Sequence, residues 1–246
     1  MLSKGLNTFQ LKFIAVITML IDHIATVIFV AMYTPFVIDN VINLEKLPTS
    51  VLLAFSLRQP FWIIGRIAFP IFCFLLVEGF IHTKNIKKYI MRLFIFSILS
   101  EIPHDLAFYN TILEFSLQNV IITLLIGILT LYLIKKIEDK YQNNIKLKTI
   151  FICIAILTGT IISMAIKCEF SNVSVLAISL MYIFRKNKIL QIVGGAIPLM
   201  TKTFWVLPAF VLIALYNKKQ GIKMKYLFYW FYPVHFLLLY LISIKL

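Results

Sequence analysis

Long apolar runs separated by short polar segments cover most of the chain. A helix needs about 20 apolar residues to cross a hydrocarbon core of about 30 Å. The runs therefore predict an all-α fold, a polytopic helical bundle with about nine transmembrane crossings. The predicted spans are residues 9–33, 60–82, 86–100, 118–134, 147–166, 170–184, 188–200, 202–216 and 226–244. Because no repeat or linker separates them, we expect one domain over residues 1–246.

Composition supports this pattern and narrows the class of protein. Apolar residues make up 61 % of the chain and charged residues 14 %, and the mean hydropathy is +0.94. A soluble domain is about 45–50 % apolar and about 25 % charged. These values exclude a soluble enzyme, a disordered chain and a nucleic-acid-binding domain. The expected surroundings are a lipid bilayer, and no nucleic acid is expected as a partner.

The basic residues are distributed unevenly between the two sides of the predicted bundle. The net charge is +14, from 24 basic and 10 acidic residues. Most of the basic residues lie on one side if residues 188–216 cross twice, with a turn near residues 200–203. The positive-inside rule then places the N-terminus in the cytoplasm. A single helix kinked at Pro198 is the alternative. Residues 34–59 are expected to form an external loop with a short helix at residues 49–57.

Charged side chains inside the predicted spans are candidates for function, because a charge at membrane depth costs about 2.5–3.5 kcal/mol. Asp22 and His23 lie in the first span, about 21 Å along the helix from Phe9. Asp22 can meet a cation on another helix while His23 faces a cavity. His23 is then either a general base or a packed histidine beside a structural Asp–Arg pair.

The second span also contains two charges, Arg66 near its external end and Glu78 near its cytoplasmic end. Buried ions are retained when they are paired or hydrated. The expected partner of Glu78 is Arg92. The candidate partners of Arg66 on its side of the membrane are Asp22, Glu101 and Asp105. These groups form either interhelical ion pairs or the lining of a water-filled tunnel.

Another polar group follows the third span. Pro103 is expected to end that helix, which would gather Glu101, His104 and Asp105 at the external mouth of the bundle. Their spacing matches no standard metal motif, so no metal is expected. Gln118 and Asn119 are expected at the same mouth. The final span carries Tyr232 and His235, which are three residues apart and therefore lie on one face of that helix.

Together, these segments resemble the TraX family, named for a conjugative-plasmid protein required for N-terminal acetylation of pilin. The resemblance is carried by MLIDHI (19–24), GRIAFPIFCFLLVEGF (65–80), YIMRLFIFSILSEIPHDLAF (89–108), Asn119 and YPVH (232–235). The positions that it marks as functional are Asp22, His23, Arg66, Glu78, Arg92, Glu101 and Asp105. The chain departs from the family pattern at His104 and at residues 168–176. In the second segment the family pattern has an aspartate, and Glu169 takes its place as the acidic residue.

The TraX family is similar in turn to multi-pass acyltransferases, which include the type 3 acyltransferases and the lysosomal glucosaminide acetyltransferase. In that class an intramembrane histidine on an early helix serves catalysis, and acetyl-CoA enters from the cytoplasm. The resemblance implies an acetyltransferase of the cell (plasma) membrane with acetyl-CoA as the acyl donor substrate. The implied acceptor is the N-terminus of a secreted or membrane-tethered peptide or protein, or a glycan, on the external face.

In this hypothesis the catalytic residues are His23, Asp22 and Arg66. His23 takes a proton from the acceptor, Asp22 orients His23 or stabilises its charge, and Arg66 stabilises the oxyanion. Transfer is either direct or through a transient acyl-His23. The donor-binding residues are Glu78, Arg92, Lys84, Lys87 and Lys88, and the basic ones among them would hold the phosphates of CoA. The cluster on the acceptor side, or of structural role, is Glu101, Asp105, Asn119, Tyr232 and His235.

A proton-coupled membrane transporter is the alternative. Intramembrane charges and helices broken by proline and glycine also suit a transporter. Transporters commonly have two pseudo-symmetric halves, however, and no such repeat is present in this sequence.

Overall fold

The computed structural model describes residues 5–38, 41–42, 47–223 and 225–246. The described chain is almost entirely helical, with one hairpin of two short strands, β1 (Val37–Ile38) and β2 (Val41–Ile42). Its α-helices are α1 (Thr8–His23), α2 (Val30–Tyr33), α3 (Thr49–Gly65), α4 (Ala68–His82), α5 (Ile86–Tyr109), α6 (Val120–Lys140), α7 (Ile145–Ala165), α8 (Ser171–Ile183), α9 (Lys188–Met200), α10 (Leu207–Ala214) and α11 (Lys225–Ser243).

Several of these helices are long and apolar enough to cross a membrane. In the described part of the chain these segments are Thr8–Phe36, Thr49–His82, Val120–Lys140, Ile145–Ala165 and Tyr226–Ser243. Shorter apolar helices occupy Asn172–Ile183, Lys188–Met200 and Phe204–Ala214. The chain is therefore a membrane protein of many helices. The nine crossings and the cytoplasmic N-terminus stay predictions.

Asparagine side chains determine where many of the helices begin. Each such side chain accepts a hydrogen bond of 2.9–3.0 Å from a backbone N–H in the first turn of its helix. Such a cap stabilises a helix by about 1 kcal/mol. The capping residues are Asn7 of α1, Asn85 of α5, Asn119 of α6, Asn144 of α7 and Asn187 of α9.

The region before α4 differs from the predicted loop and short helix. Helix α3 extends from Thr49 to Gly65 and is followed, after a turn at residues 66–67, by α4. The prediction divided this helix at residues 58–59 and joined its second part to α4 in a span over residues 60–82, whereas the structure keeps Pro60 inside α3 and places the break at residues 66–67. Residues 39–40 and 43–46 of the predicted loop lie outside the described residues.

The prediction that Pro103 ends the third helix is wrong. Helix α5 continues past Pro103 to Tyr109 and ends at Asn110, which adopts the left-handed conformation typical of helix C-termini. A proline removes one backbone hydrogen bond and kinks a helix, but packing of the flanking turns can compensate for this loss. Here His104 and Asp105, directly after the proline, are buried.

Two helices occupy residues 188–216 rather than one kinked helix. Helix α9 ends at Met200 and contains Pro198, and α10 begins at Leu207 after a turn and a short 3₁₀ segment (Phe204–Val206). The break therefore lies near residues 200–203, where the charge pattern places it.

The position of each helix in the bundle follows from its buried side chains. Most residues of α4 are buried, whereas α7 buries only a stripe of small residues, Ala155, Gly159 and Ser163. Helix α1 packs against α3 and α4. Helix α11 packs along α5 and also contacts residues 24–29, the segment that directly follows α1. This arrangement brings the C-terminal end of α1 next to the middle of α11.

Candidate functional site

A pair of histidines joins the first and last helices. Nδ1 of His23, the last residue of α1, lies 2.7 Å from Nε2 of His235 on α11. The two rings are nearly parallel, at 11°, with their centroids 5.0 Å apart. His235 is buried and His23 is half-buried. Sequence analysis placed both residues among the candidates but assigned them to different parts of the site.

The backbone directly after His23 is unusual. Residues Ile24–Phe29 form a π-helical segment, a conformation that is rare and often occurs at functional sites. The hydroxyl of Thr26 donates a hydrogen bond of 2.9 Å to the carbonyl of Asp22. Such a bond from side chain to backbone competes with the helix ladder and bends helices. The distortion therefore lies at the turn that carries Asp22 and His23.

Aromatic rings enclose the histidine pair. The ring of Phe236 lies 4.4 Å from that of His23, and those of Phe108 and Tyr232 lie 5.9 and 6.5 Å away. Phe108 and Phe236 were not among the site residues predicted from the sequence. Their only signal was proximity in sequence to His104 and His235. Because these rings are apolar, they limit the access of water to the imidazoles.

Asp22 forms an ion pair with Arg66, one of the pairings considered from the sequence. Nη2 of Arg66 donates to Oδ2 of Asp22, and both side chains are almost completely buried. Arg66 lies in the turn between α3 and α4, over the ring of Trp62 at 4.7 Å. A Cβ atom at Gly65 would collide with the side chain of Asp22, so this close approach requires glycine.

Asp22 thus meets a cation from another part of the bundle, one of the arrangements expected from the sequence, and its role in orienting or charge-stabilising His23 stays a prediction. In the described residues the hydrogen-bond partner of the His23 ring is His235, and Asp22 instead bonds to Arg66. Adjacent residues on a helix face directions about 100° apart, which explains the separate partners.

Glu169 adds an acidic side chain to the surroundings of this ion pair. It lies in the connection between α7 and α8, where burial raises its pKa to about 7. The positive charge of Arg66 opposes this rise in the pKa, and the negative charge of Asp22 adds to it. The next residue, Phe170, adopts a left-handed conformation and stacks on Phe69 at 4.2 Å.

The polar residues of α5 form internal contacts instead of an open mouth. Asp105 is fully buried, and its carboxylate contacts Nδ1 of His104 at 3.0 Å and accepts the N–H of Glu114 at 2.8 Å. Asn119 caps α6 and donates to Glu101. Oε1 of Glu101 is buried without a hydrogen-bond partner. Asp105 and Asn119 thus hold the loop between α5 and α6 in place.

A cavity of about 570 Å³ lies between α1, α4, α5, α6 and α11. Along α1 it is lined by Thr8, Lys12, Val16 and Met19, which form one stripe spaced by three or four residues. The stripe extends about 16 Å at 1.5 Å per residue. His23 is the next position of the same stripe, one turn beyond Met19. The cavity therefore leads toward the histidine pair.

The other end of the cavity carries positive charge. Lys12, Arg92 and Lys218 line it, together with His82 and Glu78. Of the predicted donor-binding residues, Glu78 and Arg92 thus line the cavity. The remaining ones are exposed and are not part of its lining, namely Lys84, Lys87 and Lys88. Lys12 and Lys218 were not predicted, because they are far from Glu78 in sequence.

The expected ion pair between Glu78 and Arg92 is not formed. Glu78 lies 3.6 Å from His82, one turn further along α4. The guanidinium of Arg92 instead lies over the ring of Tyr89, at 5.8 Å. Residues four positions apart share a helix face, which places His82 next to Glu78. In the described residues, no group of three or more His, Cys, Asp or Glu side chains could hold a metal.

Comparison with known proteins identifies a matching family and a related protein. A family model described as TraX protein matches residues 8–243. The probable fimbrial assembly protein FimC, serogroup H1, of Dichelobacter nodosus is 28 % identical over 267 residues, which cover 95 % of this chain and 94 % of that protein. No solved structure matches the chain.

Proposed function

Because this chain belongs to the TraX family, we propose that it is an integral acetyltransferase of the plasma membrane. It moves an acetyl group from cytoplasmic acetyl-CoA to an amine or hydroxyl acceptor at the external face. The observation that supports this most is the cavity, which begins at a cationic end and leads toward the histidine pair. Phosphates are attracted by Arg and Lys, whereas a thioester arm suits the apolar walls.

In this proposal the cavity holds the pantetheine arm of acetyl-CoA. Val16, Phe72 and Leu75 supply apolar walls, and Lys12, Arg92 and Lys218 hold the phosphates that cannot enter the membrane. The acetyl group then lies beyond Met19, next to His23.

The chemistry is a single acyl transfer. A ring nitrogen of His23 takes the proton from the acceptor, whose nitrogen or oxygen forms the new bond to the acetyl carbon. The carbon–sulfur bond breaks, and the proton passes from His23 to the sulfur of CoA. Arg66, held by Asp22, stabilises the negative charge that develops on the carbonyl oxygen.

The acceptor is proposed to be the N-terminus of a secreted or membrane-tethered protein. A relationship to a protein named for fimbrial assembly supports a subunit of a surface filament. A glycan hydroxyl would react by the same steps.

Removing the positive charges of the cavity is expected to weaken acetyl-CoA binding. In the double variant Lys12→Gln, Lys218→Gln, the apparent KM for acetyl-CoA should rise about tenfold or more, because a hydrogen bond to a charged group contributes about 1.5–3 kcal/mol. The control is Lys87→Gln, Lys88→Gln, which removes the same charge outside the cavity lining. Steady-state kinetics with purified protein measures both values. Equal KM values for the two variants would contradict binding of the donor in this cavity.

A further inference from the structure

We propose that His235 is a positioning residue that fixes the tautomer of His23 and makes Nε2 the basic nitrogen of the His23 ring. This inference rests on the proposed function, in which His23 accepts the proton of the acceptor. It specifies which nitrogen of His23 takes that proton and which residue keeps this nitrogen unprotonated before the reaction.

A backbone carbonyl can accept a hydrogen bond but cannot donate one. Nδ1 of His235 lies 2.7 Å from the carbonyl oxygen of Phe231, so Nδ1 must carry the proton. A neutral imidazole has one N–H, and Nε2 of His235 is therefore an acceptor.

The hydrogen bond between the two histidines then determines which nitrogen of His23 carries the proton. Nε2 of His235 lies 2.7 Å from Nδ1 of His23, so Nδ1 of His23 must donate. A neutral His23 then has its lone pair on Nε2. In the described residues Nε2 of His23 has no hydrogen-bond partner in the protein, and His23 is half-buried, so this nitrogen is available to an acceptor.

The surroundings favour a neutral pair. His235 is 4 % exposed, and its ring is enclosed by Phe231, Tyr232 and Phe236 with centroids 4.8, 5.6 and 4.3 Å away. A charged imidazole is costly in such a place, and two would also repel each other. When His23 takes a proton during the reaction, the bond from its Nδ1 to His235 can share the positive charge.

The tautomer can be observed without any reaction. The full-length protein is labelled with ¹⁵N-histidine and studied by ¹H–¹⁵N NMR in detergent without acetyl-CoA. The signals of His23 are identified by their loss in His23→Ala. The expected spectrum shows a proton on Nδ1 and a bare Nε2 in His23. A proton on Nε2 in the wild-type protein would overturn the inference.

Variants of His235 separate positioning from simple packing. His235→Met removes the acceptor at similar size, so His23 should lose its single tautomer and kcat should fall at least tenfold with an unchanged KM for acetyl-CoA. His235→Gln places an amide oxygen near the former Nε2 and should restore both tautomer and kcat in large part. The control His104→Met removes a buried histidine bonded to Asp105 and should leave the tautomer of His23 unchanged.

The outcomes distinguish this inference from the proposed function. If His235→Met keeps the His23 tautomer, or lowers kcat no more than His235→Gln does, the positioning role is wrong even if the protein transfers acetyl groups. If the wild-type protein transfers none, the proposed function fails, whereas the NMR result on the tautomer stands independently.

Discussion

Replacing His23 by alanine should reduce acetyl transfer by about 10²–10⁴-fold, the usual contribution of a general base. The reason is that the acceptor would lose the group that removes its proton. Binding of CoA should be retained, because the cavity lining ends at Met19 and does not include His23. Transfer is measured with purified protein and labelled acetyl-CoA, and CoA binding with the same preparation.

A control on the same helix separates catalysis from helix insertion. Ile17→Ala changes a side chain of α1 that is 39 % exposed on the outside of the bundle, so transfer should remain close to the wild-type rate. Full activity of His23→Ala would contradict the catalytic role of this residue. That result would favour the structural interpretation, in which His23 is a packed histidine beside a structural ion pair.

Removing the charge of Arg66 is expected to have a large effect on stability as well as on activity. Arg66→Met leaves Asp22 as a buried charge without a counter-ion, which should lower the free energy of unfolding by about 3–5 kcal/mol. Transfer should fall by about 10²–10³-fold, because the oxyanion loses its positive partner. Thermal unfolding in detergent and the transfer assay measure the two effects.

A double variant separates these effects. Asp22→Leu with Arg66→Met replaces the ion pair by apolar side chains, a change that is often neutral for stability. The double variant should therefore regain most of the lost stability but no activity. If activity returns together with stability, the pair only joins α1 to the turn between α3 and α4.

Local patterns in the sequence were sufficient for much of the fold. The apolar runs predict the long helices, and the break near residues 200–203 follows from the distribution of charge. The pairing of Asp22 with Arg66 could also be predicted as one of a few alternatives, because buried charges need partners of opposite sign and the predicted spans contain few charges. These features depend on the sequence of short segments or on the free-energy cost of burying an unpaired charge.

Features that depend on tertiary packing were not predictable. A proline usually ends a helix, yet α5 continues through Pro103 because the turn after it is buried. The bond between His23 and His235 joins residues 212 positions apart, and nothing local to either residue indicates it. The cavity likewise combines Lys12 and Lys218 from opposite ends of the chain.

Acetyl transfer by the reconstituted protein distinguishes an acetyltransferase from a transporter. Purified protein is reconstituted in lipid vesicles with labelled acetyl-CoA and an acceptor peptide that has a free N-terminus. We expect that label passes to the peptide, or that the thioester is hydrolysed, and that both reactions depend on His23. Indifference to acetyl-CoA, together with a proton or solute flux across the vesicle membrane, would contradict the account and indicate a transporter instead.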